Sequence, residues 1–239
     1  FDKYGFNGVD IKIESEVPKG LGSSSALFSA LSLALLRQLK KKVTKKEISD
    51  FAYQGDIIAH GGTPSGIDNH AVTYGGCLKY RRSQGIEILK RNIGTLPLLA
   101  VDTGEQPKTA ETVAKVRQVR DKKPLFVKSI LERLNYFSEE ALDTLTDNPD
   151  TEKLGKLMSS YYLELKKLGI STPRIDQVIK LAFENDALGA KPTGGWGGGC
   201  CLILAKDYAE RKKLASLFSR KDFSVFDLET ETEGVMEIE

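Results

Sequence analysis

The sequence predicts an α+β protein built as two lobes. Three observations carry this. Apolar periodicity switches repeatedly between the alternation of strands and the spacing of helices, with no internal repeat. The first part of the chain mixes Gly/Ser turns with short strand patterns, whereas the part beyond Pro97 is mostly helical. No low-complexity linker separates them, so the boundary falls at Pro97, giving lobes of residues 1–96 and 97–239.

The elements follow in order. Val9, Ile11 and Ile13 alternate with Asp10, Lys12 and Glu14, the pattern of a half-buried strand. The turn Val17-Pro18-Lys19-Gly20 leads into a Gly/Ser segment. Residues 24–40 are rich in Ala and Leu almost all round, which predicts a buried helix. The basic run 40–46 reads as a solvated helix end and loop. Thr44 and Glu47 form a capping-box pattern that opens a helix running to about His60. Strands are expected over 77–80, 86–90 and 98–102, then helices over 109–122, 125–145 and 152–168. Thr172 is a good N-cap and Pro173 a good first residue for another helix, which Gly189 could end. A strand over 200–205, a helix over 207–218 and a strand over 223–229 close the chain.

Composition excludes several classes. Hydrophobic residues make up 40% and charged residues 28%, enough for a sizeable core under a solvated surface. Lys plus Arg number 35 and Asp plus Glu 33, so the net charge of +2 gives no electrostatic case for nucleic acid or a membrane surface. No apolar run reaches the roughly 18 residues of a membrane span; the longest, 26–36, is interrupted by Ser29 and Ser32. Cys77, Cys200 and Cys201 make neither a disulfide framework nor a zinc spacing. They read as small apolar side chains, and a reducing cytoplasm is the simplest setting. His60 and His70 have no metal partners at suitable spacing.

Four features carry chemistry. GLGSSSA, residues 20–26, lies between a strand pattern and a buried helix. Its glycines let backbone approach a ligand, its serines offer hydroxyls, and the helix behind it presents free amides and a positive dipole end. That is a recipe for an anion site, most naturally phosphate, and it is not a Walker loop. A turn with a Ser cap is the plain alternative. In TPSGIDNHAVTYGG, residues 63–76, turn formers place Asp68 where a carboxylate is a base, a metal ligand or simply an Asx-turn stabiliser. In KPTGGWGGGCC, residues 191–201, five of the six positions 194–199 are glycine. One tight turn does not need so many, whereas close approach of a ligand or another backbone does. Asp56 sits at the edge of the face formed by Ile48, Phe51, Ala52 and Ala59, where a carboxylate needs a partner or a cation, unless it lies at the surface beside that face.

Taken together and in this order, the three glycine-bearing segments resemble the GHMP kinase family. GLGSSSA is similar to its second motif, the phosphate loop, and KPTGGWGGGCC to its third. PSGIDN followed by Tyr74-Gly75-Gly76 resembles most the branch that phosphorylates mevalonate, as does Asp102-Thr103-Gly104 followed by Lys108-Thr109. The resemblance runs from about Val9 to Leu204 and implies a two-lobed fold. Its N-terminal α/β lobe would be incomplete here, its C-terminal α+β lobe ferredoxin-like, and ATP and substrate would lie in the cleft.

It further implies transfer of the γ-phosphoryl group of ATP to a primary hydroxyl, that of C5 of mevalonate, in isoprenoid biosynthesis in the cytoplasm. Gly20, Leu21, Gly22, Ser23, Ser24 and Ser25 would bind the phosphates of ATP. Ser24 and Asp56 would hold Mg²⁺. Asp68 matches the catalytic aspartate, and Thr109, Gly194 and Gly195 match substrate-binding positions. The partner is a small molecule, with no nucleic acid and no membrane; the one protein association in view is a homodimer. The alternatives are a sister kinase acting on phosphomevalonate or a sugar, and a kinase-like ligand sensor without turnover. Two departures bear on the acceptor. Trp196 stands where the family has a small residue, and Ser159, Ser160, Tyr161 and Tyr162 replace a stretch that usually contains Asn. The family's first motif, with its Lys, does not occur among these residues, so a leading segment before Phe1 is expected.

Overall fold

The computed structural model describes residues 9–18, 20–39, 42–60, 64–89, 93, 95–230 and 232–238. Phe1, Lys19, Lys40, Thr63 and Lys90, which the sequence motifs and elements above include, lie outside the described residues, as do the side chains of Ala59 and His60. The chain is α+β and divides into two compact units. The described parts of the first are residues 9–18, 22–39, 42–60, 64–89 and 232–238; those of the second are 20–21, 93 and 95–230.

In the first unit, helix α1 (Ser23–Leu39) packs on α2 (Lys45–His60) and α3 (Ile67–Tyr74), followed by a hairpin of β1 (Leu78–Arg81) and β2 (Gly85–Ile88). Leu33, Leu36 and Ile48 form the apolar seam. The contact between α1 and α2 is close because Gly55 faces the Phe28 ring, where an added Cβ would lie 2.6 Å from a ring carbon. Polar ties are buried in the same bundle: Ser29 Oγ pairs with Thr73 Oγ1 at 3.0 Å, and Asn69 Nδ2 donates to the Ser49 carbonyl at 2.9 Å. The capping box forms as expected. The Thr44 N–H donates to Glu47 Oε2 at 2.9 Å, and the Glu47 N–H donates to Thr44 Oγ1 at 3.2 Å.

The second unit holds an antiparallel sheet in the order β4-β5-β3-β6, made of β3 (Leu98–Asp102), β4 (Gly189–Pro192), β5 (Cys200–Leu204) and β6 (Val225–Asp227). Helices α4 (Thr109–Lys122), α5 (Pro124–Thr144), α6 (Thr151–Lys166), α7 (Pro173–Phe183) and α8 (Tyr208–Ser219) complete it. Leu99, Val101, Ile130, Ile175, Val178, Ile203 and Phe218 are its sealed core. Each such side chain contributes about 1.5–3 kcal/mol relative to exposure. α6 lies tight on β4 through two glycines: an added Cβ on Gly155 would sit 2.4 Å from the Leu188 carbonyl oxygen, and one on Gly189 2.3 Å from the Gly155 oxygen.

Three expectations are corrected. Residues 9–18 form no strand, and Val9, Ile11 and Ile13 are exposed. Alternation makes a strand only where another strand completes the ladder, and among the described residues none pairs with it. The helix begun at Pro173 stops at Phe183, well before Gly189. Asp186 adopts a left-handed φ of 60°, and Gly189 instead opens β4. The segment 67–74, read only as following a turn, is helix α3.

Candidate functional site

In the first unit, Gly22 takes φ +77° immediately before α1. The Ala26 N–H bonds to the Gly22 carbonyl at 2.8 Å, which leaves the amides of Ser23, Ser24 and Ser25 without an intrahelical acceptor. These amides and the helix dipole make the N-terminus of α1 electropositive. α3 crosses close to this point: a Cβ added to Gly22 would meet Val72 at 3.4 Å and the Asp68 Cβ at 4.0 Å. Asp68 is exposed in the first turn of α3. The predicted phosphate-loop glycine and the predicted catalytic carboxylate are thus neighbours.

Asp56 is 3% exposed, which settles its place inside the bundle rather than at the surface. Its Oδ2 accepts a hydrogen bond of 2.9 Å from Ser25 Oγ. Ser24, the sequence candidate for the same cation, is exposed one position earlier. Consecutive helical residues point about 100° apart, so one serine faces α2 while the other faces outward. His70 has a structural role: its Nδ1 lies 2.6 Å from the Gly66 carbonyl, and its ring rests on Tyr80 at 5.2 Å between centroids.

In the second unit, Gly20, at φ +93°, lies against the start of the glycine loop. Thr193 Oγ1 donates to the Gly20 carbonyl at 2.7 Å, and a Cβ on Gly20 would meet the Cys200 nitrogen at 3.2 Å. Leu21 follows in the same turn and is half-buried. Thr193 was missed in the sequence; a hydroxyl ahead of a glycine run was the available signal. Gly194, Gly197, Gly198 and Gly199 all adopt positive φ, as the excess of glycine required. Gly195 is pressed on Thr109, where an added Cβ would lie 2.5 Å from its Oγ1, and Gly198 on the carbonyl of Gln106 at 2.7 Å. The Gly199 N–H donates to the Glu105 carbonyl at 2.8 Å. The sequence candidates Thr109, Gly194 and Gly195 are therefore one contiguous surface within this unit.

Trp196, 4% exposed at φ +64°, stacks on Tyr162 with centroids 5.8 Å apart. Lys191 Nζ donates to the Pro192 carbonyl at 3.1 Å and sits 5.6 Å over the Tyr161 ring. Burial holds its amine below the usual lysine range. Burial pushes the Cys200 thiol up to about 12, and raises Cys201 as well, so both are packing groups rather than nucleophiles.

The donor set at Asp56 suits magnesium. It combines a carboxylate with the hydroxyl of Ser25, both hard oxygens, and among the described residues no group of three His, Cys, Asp or Glu forms a protein cage. Mg²⁺ commonly takes one or two protein oxygens and completes its shell with substrate phosphates and water.

Residues 1–76 match the sequence pattern of the GHMP kinases N terminal domain, and residues 139–222 that of the GHMP kinases C terminal domain. The mevalonate kinase of Thermococcus onnurineus is 35% identical over 212 residues, covering 86% of this chain and 62% of the relative. That of Pyrococcus horikoshii is 34% identical over 204 residues, covering 83% and 60%. The chain thus spans about three fifths of the length of these relatives. Among solved structures, the L. major mevalonate kinase in complex with R-mevalonate superposes with a TM-score of 0.80 at 26% identity, over 90% of this chain and 67% of that one. The Methanococcus jannaschii mevalonate kinase gives 0.75 at 26%, over 92% and 67%.

Proposed function

The chain belongs to the GHMP kinase family, and we propose that the full-length protein transfers the γ-phosphoryl group of ATP to the 5-hydroxyl of mevalonate. The observation that supports this most is the meeting, within the first unit, of an electropositive helix N-terminus with two carboxylates from the helices packed beside it. The choice of acceptor is supported by relatives at 34–35% identity that are mevalonate kinases.

In this reading the amides of Ser23, Ser24 and Ser25 receive phosphate oxygens, with Gly20, Leu21 and Gly22 giving the backbone its close approach. Asp56 and Ser24 would hold Mg²⁺, and Ser25 fixes the Asp56 carboxylate by its hydrogen bond. When bound, the ion neutralises charge on the phosphates. Asp68 orients the acceptor hydroxyl and takes its proton as that oxygen attacks the γ-phosphorus and ADP departs. Thr109, Gly194 and Gly195 contact the acceptor. ATP and mevalonate are the small-molecule partners, and the cytoplasm is the setting.

A panel of acceptors, namely mevalonate, phosphomevalonate, galactose and homoserine, offered with γ-labelled ATP to the full-length protein tests the proposal. Label is expected on mevalonate. Label on another acceptor, or nucleotide binding with no transfer at all, contradicts it.

A further inference from the structure

The glycine loop 194–199 has a single side chain, that of Trp196. Glycine-rich backbone is the most costly to order, so whatever fixes this loop beyond its backbone contacts must act through the indole. Trp196 does so against steric preference. At φ +64° it occupies the left-handed region, uncommon for a bulky residue, yet it is buried and stacked at 24° between ring planes on Tyr162 of α6.

Tyr162 is itself held. Its hydroxyl donates to Asp176 Oδ1 on α7 at 2.5 Å. Asp176 also accepts from Ser171 Oγ at 2.6 Å and from Lys166 Nζ at 2.7 Å. The same ammonium lies 5.6 Å over the Tyr162 ring. On either side of Trp196 the loop is pressed on α4. Gly195 meets Thr109, and Gly197 lies where a Cβ would come 2.8 Å from Thr112 Oγ1.

We propose that Trp196 is a positioning residue: by anchoring the loop on Tyr162 it holds Gly195 against Thr109 and so sets the acceptor-binding surface. The proposal rests on the reading of Thr109 and this loop as the acceptor contact. A sequence with a small residue here has no such anchor, so this chain ties its glycine loop to the packing of α6 and α7.

The test uses the full-length protein with Trp196→Gly and Trp196→Phe. Trp196→Gly relieves the backbone but removes the anchor, so KM for the acceptor should rise about tenfold while KM for ATP stays within about twofold; Trp196→Phe should restore acceptor KM to within about threefold. An unchanged acceptor KM in Trp196→Gly overturns the proposal. If that variant fails to fold, Tyr162→Leu removes the stacking partner instead and should give the same split.

Amide hydrogen exchange supplies a readout that needs no turnover. The amides of 194–199 should exchange at least tenfold faster in Trp196→Gly, with β5 unchanged. Equal acceleration in β5 would mean general loss of stability, and that, or an unaltered loop, overturns the anchoring. If the wild-type protein phosphorylates no alcohol, the proposed function fails, while the exchange comparison still decides whether Trp196 anchors the loop.

Discussion

Ser25 donates a 2.9 Å hydrogen bond to the buried carboxylate of Asp56, and this joins the first turn of α1 to the core-facing side of α2. The bond fixes one carboxylate oxygen beside an electropositive helix end. It gives Ser25 a part different from that of its neighbour Ser24, although the sequence offers the two hydroxyls side by side.

Removing that support should loosen a cation held by Asp56. Ser25→Ala is expected to raise the Mg²⁺ concentration for half-maximal rate about tenfold, in the range for losing a residue that orients a metal ligand. Asp56→Ala should raise it further with the fold retained. Magnesium titration of the initial rate, beside circular dichroism, checks both. Unchanged magnesium dependence with lowered stability would make the pair purely structural.

Much of this was readable from the residues. The limits of α4 and the capping box at Thr44 and Glu47 are local properties, and the structure reproduces them. α3 was not readable, because eight residues behind Pro64, Ser65 and Gly66 carry strong turn signals and little helical periodicity. The alternation at Val9, Ile11 and Ile13 misled because a strand is made by its partner. Of the site, the residue types were legible and their pairing was not. Which of three serines faces Asp56 depends on the rotation of α1, and the burial of Trp196 depends on α6, distant in sequence.

The approach of α6 to β4 depends on two residues without side chains. Gly155→Ala places a methyl 2.4 Å from the Leu188 carbonyl oxygen, a backbone atom that cannot turn aside. Destabilisation of about 1–3 kcal/mol is expected, as for overpacked cores. Urea denaturation measures it; a wild-type midpoint would show that the helix shifts freely.

Acid should weaken the Tyr162–Asp176 cluster. Burial pushes the Asp176 carboxyl upward, but hydrogen bonds from Lys166, Ser171 and Tyr162 outweigh it and hold the group below its ordinary 3.8. Its ionised form is thus favoured by folding. The contribution is complete above the ordinary value and is lost as pH falls from there through the lower folded value. Thermal melts across that range should show Tm falling with acid, and Asp176→Asn should flatten the fall. Parallel curves for the two proteins would exclude Asp176 as its source.

The central claim is phosphoryl transfer to mevalonate with Asp68 handling the hydroxyl proton. Turnover of mevalonate by the full-length protein and its Asp68→Asn variant, followed with γ-labelled ATP, tests it most directly. The wild type should place the label on the 5-oxygen, and the variant should lose on the order of 10²-fold in kcat with its affinity for ATP unchanged. Near-normal turnover by Asp68→Asn, or a wild type that leaves mevalonate unlabelled, would contradict the account.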